Sequence, residues 1–332
     1  ASNNTAVGYA SLSANTTGDR NVAVGTNALD ANTVGTKNVA VGVDSLGTNT
    51  KGRRNVALGD SALANQEPSS AIDMYNTAVG HGAGSSVTTG VLNTLVGGLA
   101  GDALTTGDNN IAIGYQALSG DTQGDRNVAV GIQALLSQNF TSSTDVYNTA
   151  VGFAAGASIT TGVQNTLIGG RSGDSLTDAD FNVAMGFEAL AADTLGSKST
   201  AIGFQALQDQ NFTSATDSLN TAMGYRAGAN ITTGTLNVAL GANALVTNTT
   251  ASYNTAVGQS ALSSNTTAAQ NTGLGYAALT NATTGADNTA TGSQALANTT
   301  TGAANTAVGR SALQLNTTGR DNTAVGYSAA AT

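Results

Sequence analysis

The stretch Asn3–Leu12 reads NNTAVGYASL, and the stretch Asp321–Ala330, near the other end of the chain, reads DNTAVGYSAA. Two nearly identical segments so far apart are either two copies of a small unit or the ends of a long series of copies. The search for a fixed period therefore comes first, because a missed repeat leads to the wrong fold.

The asparagine in the second position of these segments, which we call the anchor, recurs throughout the chain. There are 19 anchors, spaced by 17 residues except for three intervals of 21 that begin at Asn55, Asn127 and Ser199, 72 residues apart. A longer period of four units is thus superimposed on the short one until the last third of the chain. The anchors are Asn4, Asn21, Asn38, Asn55, Asn76, Asn93, Asn110, Asn127, Asn148, Asn165, Asn182, Ser199, Asn220, Asn237, Asn254, Asn271, Asn288, Asn305 and Asn322.

A short alternating pattern follows each anchor. The first residue is Thr, Val or Ile, the second is almost always Ala, the third is aliphatic with one exception, and the fourth is always Gly. Alternation with a period of two is typical of a β-strand. The glycine indicates a bend that needs positive φ or a closely approaching backbone. Ala or Ser, usually Leu, and a polar Asn-Thr-Thr-Gly turn complete the unit.

A 17-residue unit of short strands and turns predicts one coil of a β-solenoid. Helical repeats are excluded, since a pair of helices needs about 33 residues or more. We therefore predict an all-β fold, a parallel β-solenoid (β-roll) of 17-residue coils that forms a homotrimeric rod. We expect a single repeat solenoid over 1–332, with about 19 coils, 21-residue coils at 55–75, 127–147 and 199–219, and a chain that is a fragment of a longer one.

Stacking in register would place equivalent residues of successive coils above one another. The anchors then predict an amide ladder, and the invariant glycines predict a column of bends. These architectural residues include Asn4, Asn21, Asn38, Asn127, Gly8, Gly25, Gly42 and Gly131.

A compensating substitution supports a real core. In five repeats Gly replaces the usual Leu, and the normally polar position three residues later becomes apolar. A core that conserves its volume explains this coupling. The pairs are Gly84 with Val87, Gly101 with Leu104, Gly156 with Ile159, Gly173 with Leu176, and Gly228 with Ile231.

The same pattern predicts self-association. One face of each strand carries β-branched and aliphatic residues, and the other carries alanine. We expect the former to fill the coil and the alanine face to receive another chain, because small side chains allow close approach. The expected partner is a second and third copy of the chain.

Composition argues against several classes of protein. Only 9% of the residues are charged, there is no cysteine, and the net charge of −9 is spread thinly. Nucleic-acid binding, which needs clustered Lys and Arg, is not expected. Nor is direct membrane insertion, since no apolar run approaches about 20 residues. The single histidine, His81, offers no catalytic dyad or zinc site, and we expect no enzymatic activity, metal or cofactor.

The repeats resemble those of a known family. Val22–Gly25, Val128–Gly131 and Asn110–Gly114 resemble the core of the YadA-like head repeats of trimeric autotransporter adhesins, and similar NTAVGYxAL repeats occur in phage tail-fibre proteins. The resemblance covers the whole chain, although the family's repeat is typically shorter. It implies a trimeric, left-handed parallel β-roll used for attachment, located outside the cell on a bacterial surface or in a virion fibre.

The longer coils and the aromatic residues are the candidate binding features. Each 21-residue coil adds four residues, within 64–75, 136–147 or 208–219. Insertions into a solenoid project as loops, commonly on the binding side. Alternatively, they are braces that pack phenylalanines onto an adjacent chain. The other aromatics either cover edges between chains or form a stacking stripe for sugar rings. The candidate loop residues are Phe140, Tyr147, Phe212 and Tyr75.

The function predicted from these features is a non-enzymatic structural or adhesive fibre segment, a cell-surface adhesin or phage tail fibre, whose partner is a host-surface receptor or glycan. Two alternatives stay open. Thr-Thr pairs recur in ten repeats, from Thr16-Thr17 to Thr317-Thr318, and a flat threonine array would suit an ice-binding solenoid. A purely structural extracellular filament is the other alternative.

Overall fold

Each repeat forms one coil of a parallel β-solenoid. The computed structural model describes residues 1–331 in two units, unit 1 from Ala1 to Asn165 and unit 2 from Thr166 onward. These residues form strands and turns but no helix, and therefore no helix that could cross a membrane. The predicted all-β, parallel β-solenoid fold is confirmed in both units, whereas the homotrimeric rod and a single solenoid over 1–332 stay predictions.

The three residues after every anchor form a strand, and four two-residue strands accompany the longer coils. Unit 1 contains β1 Thr5–Val7, β2 Val22–Val24, β3 Val39–Val41, β4 Val56–Leu58, β5 Thr77–Val79, β6 Thr94–Val96, β7 Ile111–Ile113, β8 Gly124–Asp125, β9 Val128–Val130, β10 Thr144–Asp145 and β11 Thr149–Val151. Unit 2 contains β12 Thr166–Ile168, β13 Val183–Met185, β14 Gly196–Ser197, β15 Thr200–Ile202, β16 Thr216–Asp217, β17 Thr221–Met223, β18 Val238–Leu240, β19 Thr255–Val257, β20 Thr272–Leu274, β21 Thr289–Thr291, β22 Thr306–Val308 and β23 Thr323–Val325.

Within each unit the three-residue strands stack in parallel and in register. In unit 1, Thr5 pairs with Val22 and Ala6 with Ala23, and the same alignment continues to β11. In unit 2 it continues from β12 to β23. Each residue therefore lies above its equivalent in the neighbouring coil, about 4.8 Å away.

The bend after each strand requires glycine for two reasons. Gly8 has φ +131°, which residues with a side chain rarely adopt. A Cβ on Gly8 would also lie 2.5 Å from the carbonyl oxygen of Gly25 in the next coil. The predicted bend is confirmed, and both reasons recur at the bend glycines of either unit.

Several residues with side chains also adopt left-handed backbone conformations. Arg20, at the end of the first coil, and Asn27 and Leu29, in the second, have φ of +56°, +56° and +50°, and the pattern repeats in the other coils. This conformation costs about 1–2 kcal/mol per residue. At Leu29 the cost is offset by a fully buried side chain and by an N–H that donates to the carbonyl of Ser45 at 3.1 Å.

The alanine face lies inside the coil, which corrects the prediction that it receives another chain. Ala23, Ala112 and Ala201 are fully buried, whereas their neighbours at the first and third strand positions point outward. The coil is too narrow to enclose two large side chains opposite each other. Alanine therefore lines the strand side of the core, and Leu29 and its equivalents fill it from the opposite wall.

The buried anchors tie each coil to itself and to the next. Asn21 Nδ2 donates to the carbonyl of Gly35 in the same coil at 2.9 Å, and its Oδ1 accepts the backbone N–H of Asn38 at 3.0 Å. Equivalent bonds recur along unit 1 and unit 2. The predicted ladder is confirmed, but its main bond joins a side chain to the backbone of the next coil.

The Leu-to-Gly compensation is confirmed as packing in one pocket. Val87, Leu104, Ile159, Leu176 and Ile231 are all fully buried. A Cβ on Gly101 would lie 2.9 Å from Leu104 Cδ1 and 2.8 Å from Leu95 Cδ2, so the apolar side chain occupies the space that the missing leucine leaves.

This shared pocket predicts coupled effects of substitution. Leu104→Ala should lower the free energy of unfolding by about 2–5 kcal/mol, because it leaves a cavity. Gly101→Ala alone should also destabilise, because its methyl group meets Leu104. Urea denaturation of the double variant should show a loss smaller than the sum by about 0.5 kcal/mol or more. Pairing Gly101→Ala with the distant Leu29→Ala is the control and should be additive; additivity in both pairs would contradict the shared pocket.

Candidate functional site: the outer surfaces of the coils

The outward side chains of the strands, which are mainly threonine, aliphatic and aromatic, form a surface that we call the outer strip. It consists of the residues one, three and five positions after each anchor, and most of the exposed large apolar side chains belong to it. Contiguous apolar surfaces of this kind are rare on monomeric proteins and mark interaction sites. The exposed members are Val7, Tyr9, Val39, Val43, Val56, Leu58, Ile111, Ile113, Tyr115, Ile132 and Phe153 in unit 1, and Met185, Phe187, Phe204, Met223, Tyr225, Tyr276, Val308, Val325 and Tyr327 in unit 2.

Three aromatic rings of the outer strip stack on one another in unit 2. The ring centroids of Phe187 and Phe204 are 5.8 Å apart, and those of Phe204 and Tyr225 are 5.4 Å apart, with interplanar angles of 16° and 8°. Phe204 therefore shares its faces with rings on successive coils. This geometry suits packing of the strip against another apolar surface better than stacking of sugar rings on each aromatic face.

The three longer coils leave the regular outline as loops, as predicted. Their tips, residues 69–70, 141–143 and 213–215, are exposed. Two of the loops return through a short strand, with β10 pairing in parallel with β8 and β16 with β14. In the first loop Asp73 forms a single parallel bridge with Arg53. The preceding coil thus holds the base of each loop.

An ion pair closes each loop at the surface. The basic residue before the anchor of each long coil contacts an aspartate three residues before the next anchor. These side chains are about half exposed, so each pair contributes about 1 kcal/mol or less. The pairs are Arg54 with Asp73 at 2.9 Å, Arg126 with Asp145, and Lys198 with Asp217 at 2.5 Å.

The loop phenylalanines lie in the interior of their own chain, which differs from both predicted roles. Phe140 is 9% exposed and Phe212 is 6% exposed, so neither ring offers a surface to a ligand or an adjacent chain. A Cβ on Gly196 would lie 2.7 Å from Phe212 Cδ2. A coil of 21 residues encloses more space than one of 17, and the ring fills it. In the first loop Pro68 is buried at the same position.

The other two candidate loop residues are accessible. Tyr75 and Tyr147 are each 49% exposed. The guanidinium carbon of Arg54 lies 5.4 Å from the ring centroid of Tyr75, and that of Arg126 lies 5.7 Å from the ring centroid of Tyr147. The structure therefore brings each tyrosine together with a cation of the preceding coil, and separates Tyr147 from the buried Phe140 of the same loop.

A buried glutamine in each long coil bonds to side chains of the preceding and the following coil. Gln138 Nε2 donates to Asp121 Oδ2 at 2.6 Å, and Gln138 Oε1 accepts Asn148 Nδ2 at 2.9 Å. Gln210 makes the same bonds with Asp193 and Asn220. In the first loop Gln66 bonds Asn49 and Asn76.

The anchors of the long coils lack the bond that most other anchors make to the backbone carbonyl, of glycine or alanine, 14 residues on. Asn127 Nδ2 donates instead to Asn110 Oδ1 at 3.1 Å. Ser199 has no amide to satisfy, and its Oγ contacts Ser218 Oγ at 2.5 Å and accepts from Gln210 Nε2 at 2.9 Å. Ser199 is the one anchor that is not asparagine. It begins a long coil, where the side-chain amide of an asparagine would lack the backbone carbonyl that most other anchors bond.

Two carboxyl groups of this network are fully buried. Burial raises the pKa of Asp121 above its ordinary value, and hydrogen bonds from Gln138 and from the backbone of Phe140 and Gly124 oppose the shift. Burial raises the pKa of Asp193 in the same way.

The threonine pairs use half of their hydroxyls within the fold. The first threonine of a pair donates its hydroxyl to a backbone carbonyl of the next coil, as Thr16 does to Thr33 at 2.9 Å and Thr249 does to Thr266 at 3.2 Å. The second threonine is exposed throughout the pairs. This arrangement secures the turn, and it leaves only one column of hydroxyls at the surface.

The single histidine and the carboxylates of residues 1–331 do not come together as a metal-binding cluster. His81 is exposed, and its Nδ1 lies 3.8 Å from Asp60 Oδ2. In that range no three His, Cys, Asp or Glu side chains could together hold a metal ion.

A concentration of positive charge, which we call the basic edge, escaped the sequence analysis. Five of the 11 basic residues of the chain lie within 20–54: Arg20, Lys37, Lys51, Arg53 and Arg54. Three of them precede successive anchors, so the register places Arg20, Lys37 and Arg54 on adjacent coils, joined by the backbone bonds from Lys37 to Asp19 and from Arg54 to Thr36. The 17-residue spacing of these basic residues indicates their stacking, but the net charge of −9 for the whole chain does not reveal it.

No protein-family model matches the chain, and no curated protein matches its sequence.

The buried carboxyls predict a pH dependence of stability. A pKa that is higher in the folded than in the unfolded state favours folding at low pH, and the contribution is lost as the pH rises through the folded value. In urea denaturation between about pH 4 and about pH 8, Asp121→Asn with Asp193→Asn should reduce the loss of stability at higher pH. Asn49→Asp, which places a carboxyl at the equivalent site of the first loop, should increase that loss. Unchanged slopes in both variants would contradict the assignment.

Proposed function

We propose that the chain is a non-enzymatic segment of a homotrimeric attachment fibre that works outside a cell or in a virion. The observation that carries this proposal is the exposed outer strip. Apolar side chains such as Ile113, Ile132 and Phe153 recur on successive coils, and within residues 1–331 they stay 39%, 50% and 56% exposed. A surface of this kind is stable in water when a partner buries it.

The partner that fits the outer strip best is the chain itself. The strip repeats once per coil, about 4.8 Å apart, so a matching surface must have the same repeat. Another copy of the chain, aligned in register, presents equivalent side chains, which include an aliphatic or aromatic residue on every coil except the one that begins at Asn288. Because the alanine face is buried, we propose the outer strip as the interface between chains instead. Self-association is still expected.

The number of chains and the attachment role rest on the resemblance to trimeric adhesins and phage tail fibres. The loop tips at 69–70, 141–143 and 213–215 lie at other positions of the coil than the outer strip. The loop tips stay exposed when another chain covers the outer strip, and they are the proposed contacts with a receptor or glycan. The ice-binding alternative gains no support, because the first threonine of the pairs bonds to the chain itself.

The proposed interface predicts the size of the particle. Light scattering on the purified chain should give about three chains per particle at micromolar concentration. Ile113→Lys with Val130→Lys, on adjacent coils, should lower the mass while the β-type circular dichroism persists, because each lysine buries a charge in the interface. Thr106→Lys with Gln123→Lys adds the same charge on the adjacent coils that begin at Asn93 and Asn110, outside the strip, and should leave the mass unchanged. A stable monomeric wild type would contradict the proposal.

Attachment has its own test. Beads coated with the chain should adhere under flow to bacterial or epithelial cells more strongly than beads coated with albumin at the same density. Adhesion should survive the control lysine pair, because the trimer stays intact. Trimers that adhere to no cell type of the panel would favour the alternative of a purely structural filament.

A further inference from the structure

We propose that the basic edge of unit 1 binds an acidic polysaccharide. The inference deepens the proposed attachment role and rests on it, since it names the chemistry of the surface that the fibre recognises. It is carried by the placement of Arg20, Lys37 and Arg54 on adjacent coils, together with the groups that surround them.

Of the five cations of the basic edge, only Arg20 and Arg54 form ion pairs with carboxylates of residues 1–331. Arg54 has a close partner in Asp73 at 2.9 Å, while Arg20 Nε lies 3.8 Å from Asp19 Oδ2. Lys37 forms no ion pair with any residue in 1–331. Like charges on coils about 4.8 Å apart repel one another. An anionic partner would relieve this repulsion.

The rest of the chain provides a contrast. Arg126 and Lys198 occupy the same position of the coil as the three stacked cations, but each is the only cation among its immediate neighbours in that column. Each is also paired with an aspartate of its own loop. Arg126 and Lys198, which only close a loop, each have no neighbouring cation and are paired with an aspartate, whereas Arg20, Lys37 and Arg54 are stacked on adjacent coils.

Two further basic residues lie beside the stacked three. Lys51 Nζ donates to the carbonyl of Ser69 in the first loop at 3.4 Å. Arg53 Nε is buried and has no hydrogen-bond partner within residues 1–331. The charge is therefore spread over a surface rather than a single column, which suits a polymer with repeated acid groups better than a small anion.

The uncharged groups around the edge favour a sugar polymer. Tyr75, on the coil after Arg54, is half exposed and offers an aromatic surface to an apolar sugar face. The hydroxyls of Ser69 and Ser70 are at the exposed loop tip. Asp19 and Asp73 can accept hydrogen bonds from sugar hydroxyls, and they repel the dense phosphates of a nucleic-acid duplex more strongly than the more widely spaced acid groups of a polysaccharide.

The first measurement compares polymers of equal length that differ in charge. Fluorescence anisotropy of labelled dextran sulfate, carboxymethyl dextran and neutral dextran should show binding of one or both charged polymers to the full chain and none of the neutral one. The two charged polymers separate sulfate from carboxylate as the recognised acid. Binding should weaken as salt is raised from about 0.05 to about 0.2 M, because salt screens exposed charges.

The second measurement locates the site. Arg20→Gln with Lys37→Gln should weaken binding about five- to twentyfold, since each removes one exposed charge contact. Arg126→Gln with Lys198→Gln makes the same change of net charge at the same position of the coil, and should weaken binding about twofold or less. Thermal melts of both variants check that the fold is retained.

Several results would overturn the inference. Equal weakening by the two pairs would show attraction by overall charge alone, and binding of duplex DNA as tightly as the charged dextrans would show that the edge does not select sugars. Cell adhesion of coated beads that dextran sulfate does not inhibit would leave attachment standing and refute this ligand. Absence of both adhesion and polymer binding would refute both proposals, whereas polymer binding without adhesion would refute attachment alone.

Discussion

The structure depends on one side chain, the anchor asparagine. A coil of 17 residues has little interior, and its turn carbonyls and strand N–H groups would be left without partners there. Asn21 satisfies one of each, since it donates to Gly35 in its own coil and accepts from Asn38 in the next. The same side chain thus closes the coil and fixes the register between coils, because only an equivalent residue above it continues the bonds.

The narrow coil also determines which surfaces are available for function. Alanine on the strand side and leucine on the opposite wall fill the interior, so the β-branched and aliphatic residues of the strands face outward. Exposed apolar surfaces often mark interaction sites, and we propose that another copy of the chain covers this one. The features that support attachment, loops and cations, are at other positions of the coil. Because the interior of the coil is so small, the proposed surface for assembly and the proposed surface for recognition lie at different positions on its outside.

The longer coils show how the fold accepts a loop without losing its ladder. Four added residues remove the glycine carbonyl that an anchor normally uses, and a buried glutamine such as Gln138 restores the connection between neighbouring coils. The extra interior space is filled by Phe140, Phe212 or Pro68. Buried residues therefore determine the course of each loop. Its exposed tip carries small and mostly polar residues, whose identity is not constrained by packing in the core.

The sequence by itself determined the period, the strands, the bends, the anchor ladder and the coupling of Gly101 with Leu104. Each of these depends on a residue and its equivalent one coil away, and that relation is visible as spacing. Only the tertiary structure decided which strand face lies inside, because alternation distinguishes two faces without saying which one the coil encloses. It also decided that Phe140 is buried while Tyr147 is exposed, since that depends on the space within a 21-residue coil. The left-handed backbone of Leu29 is likewise invisible in the sequence, because leucine adopts it only where burial offsets the cost.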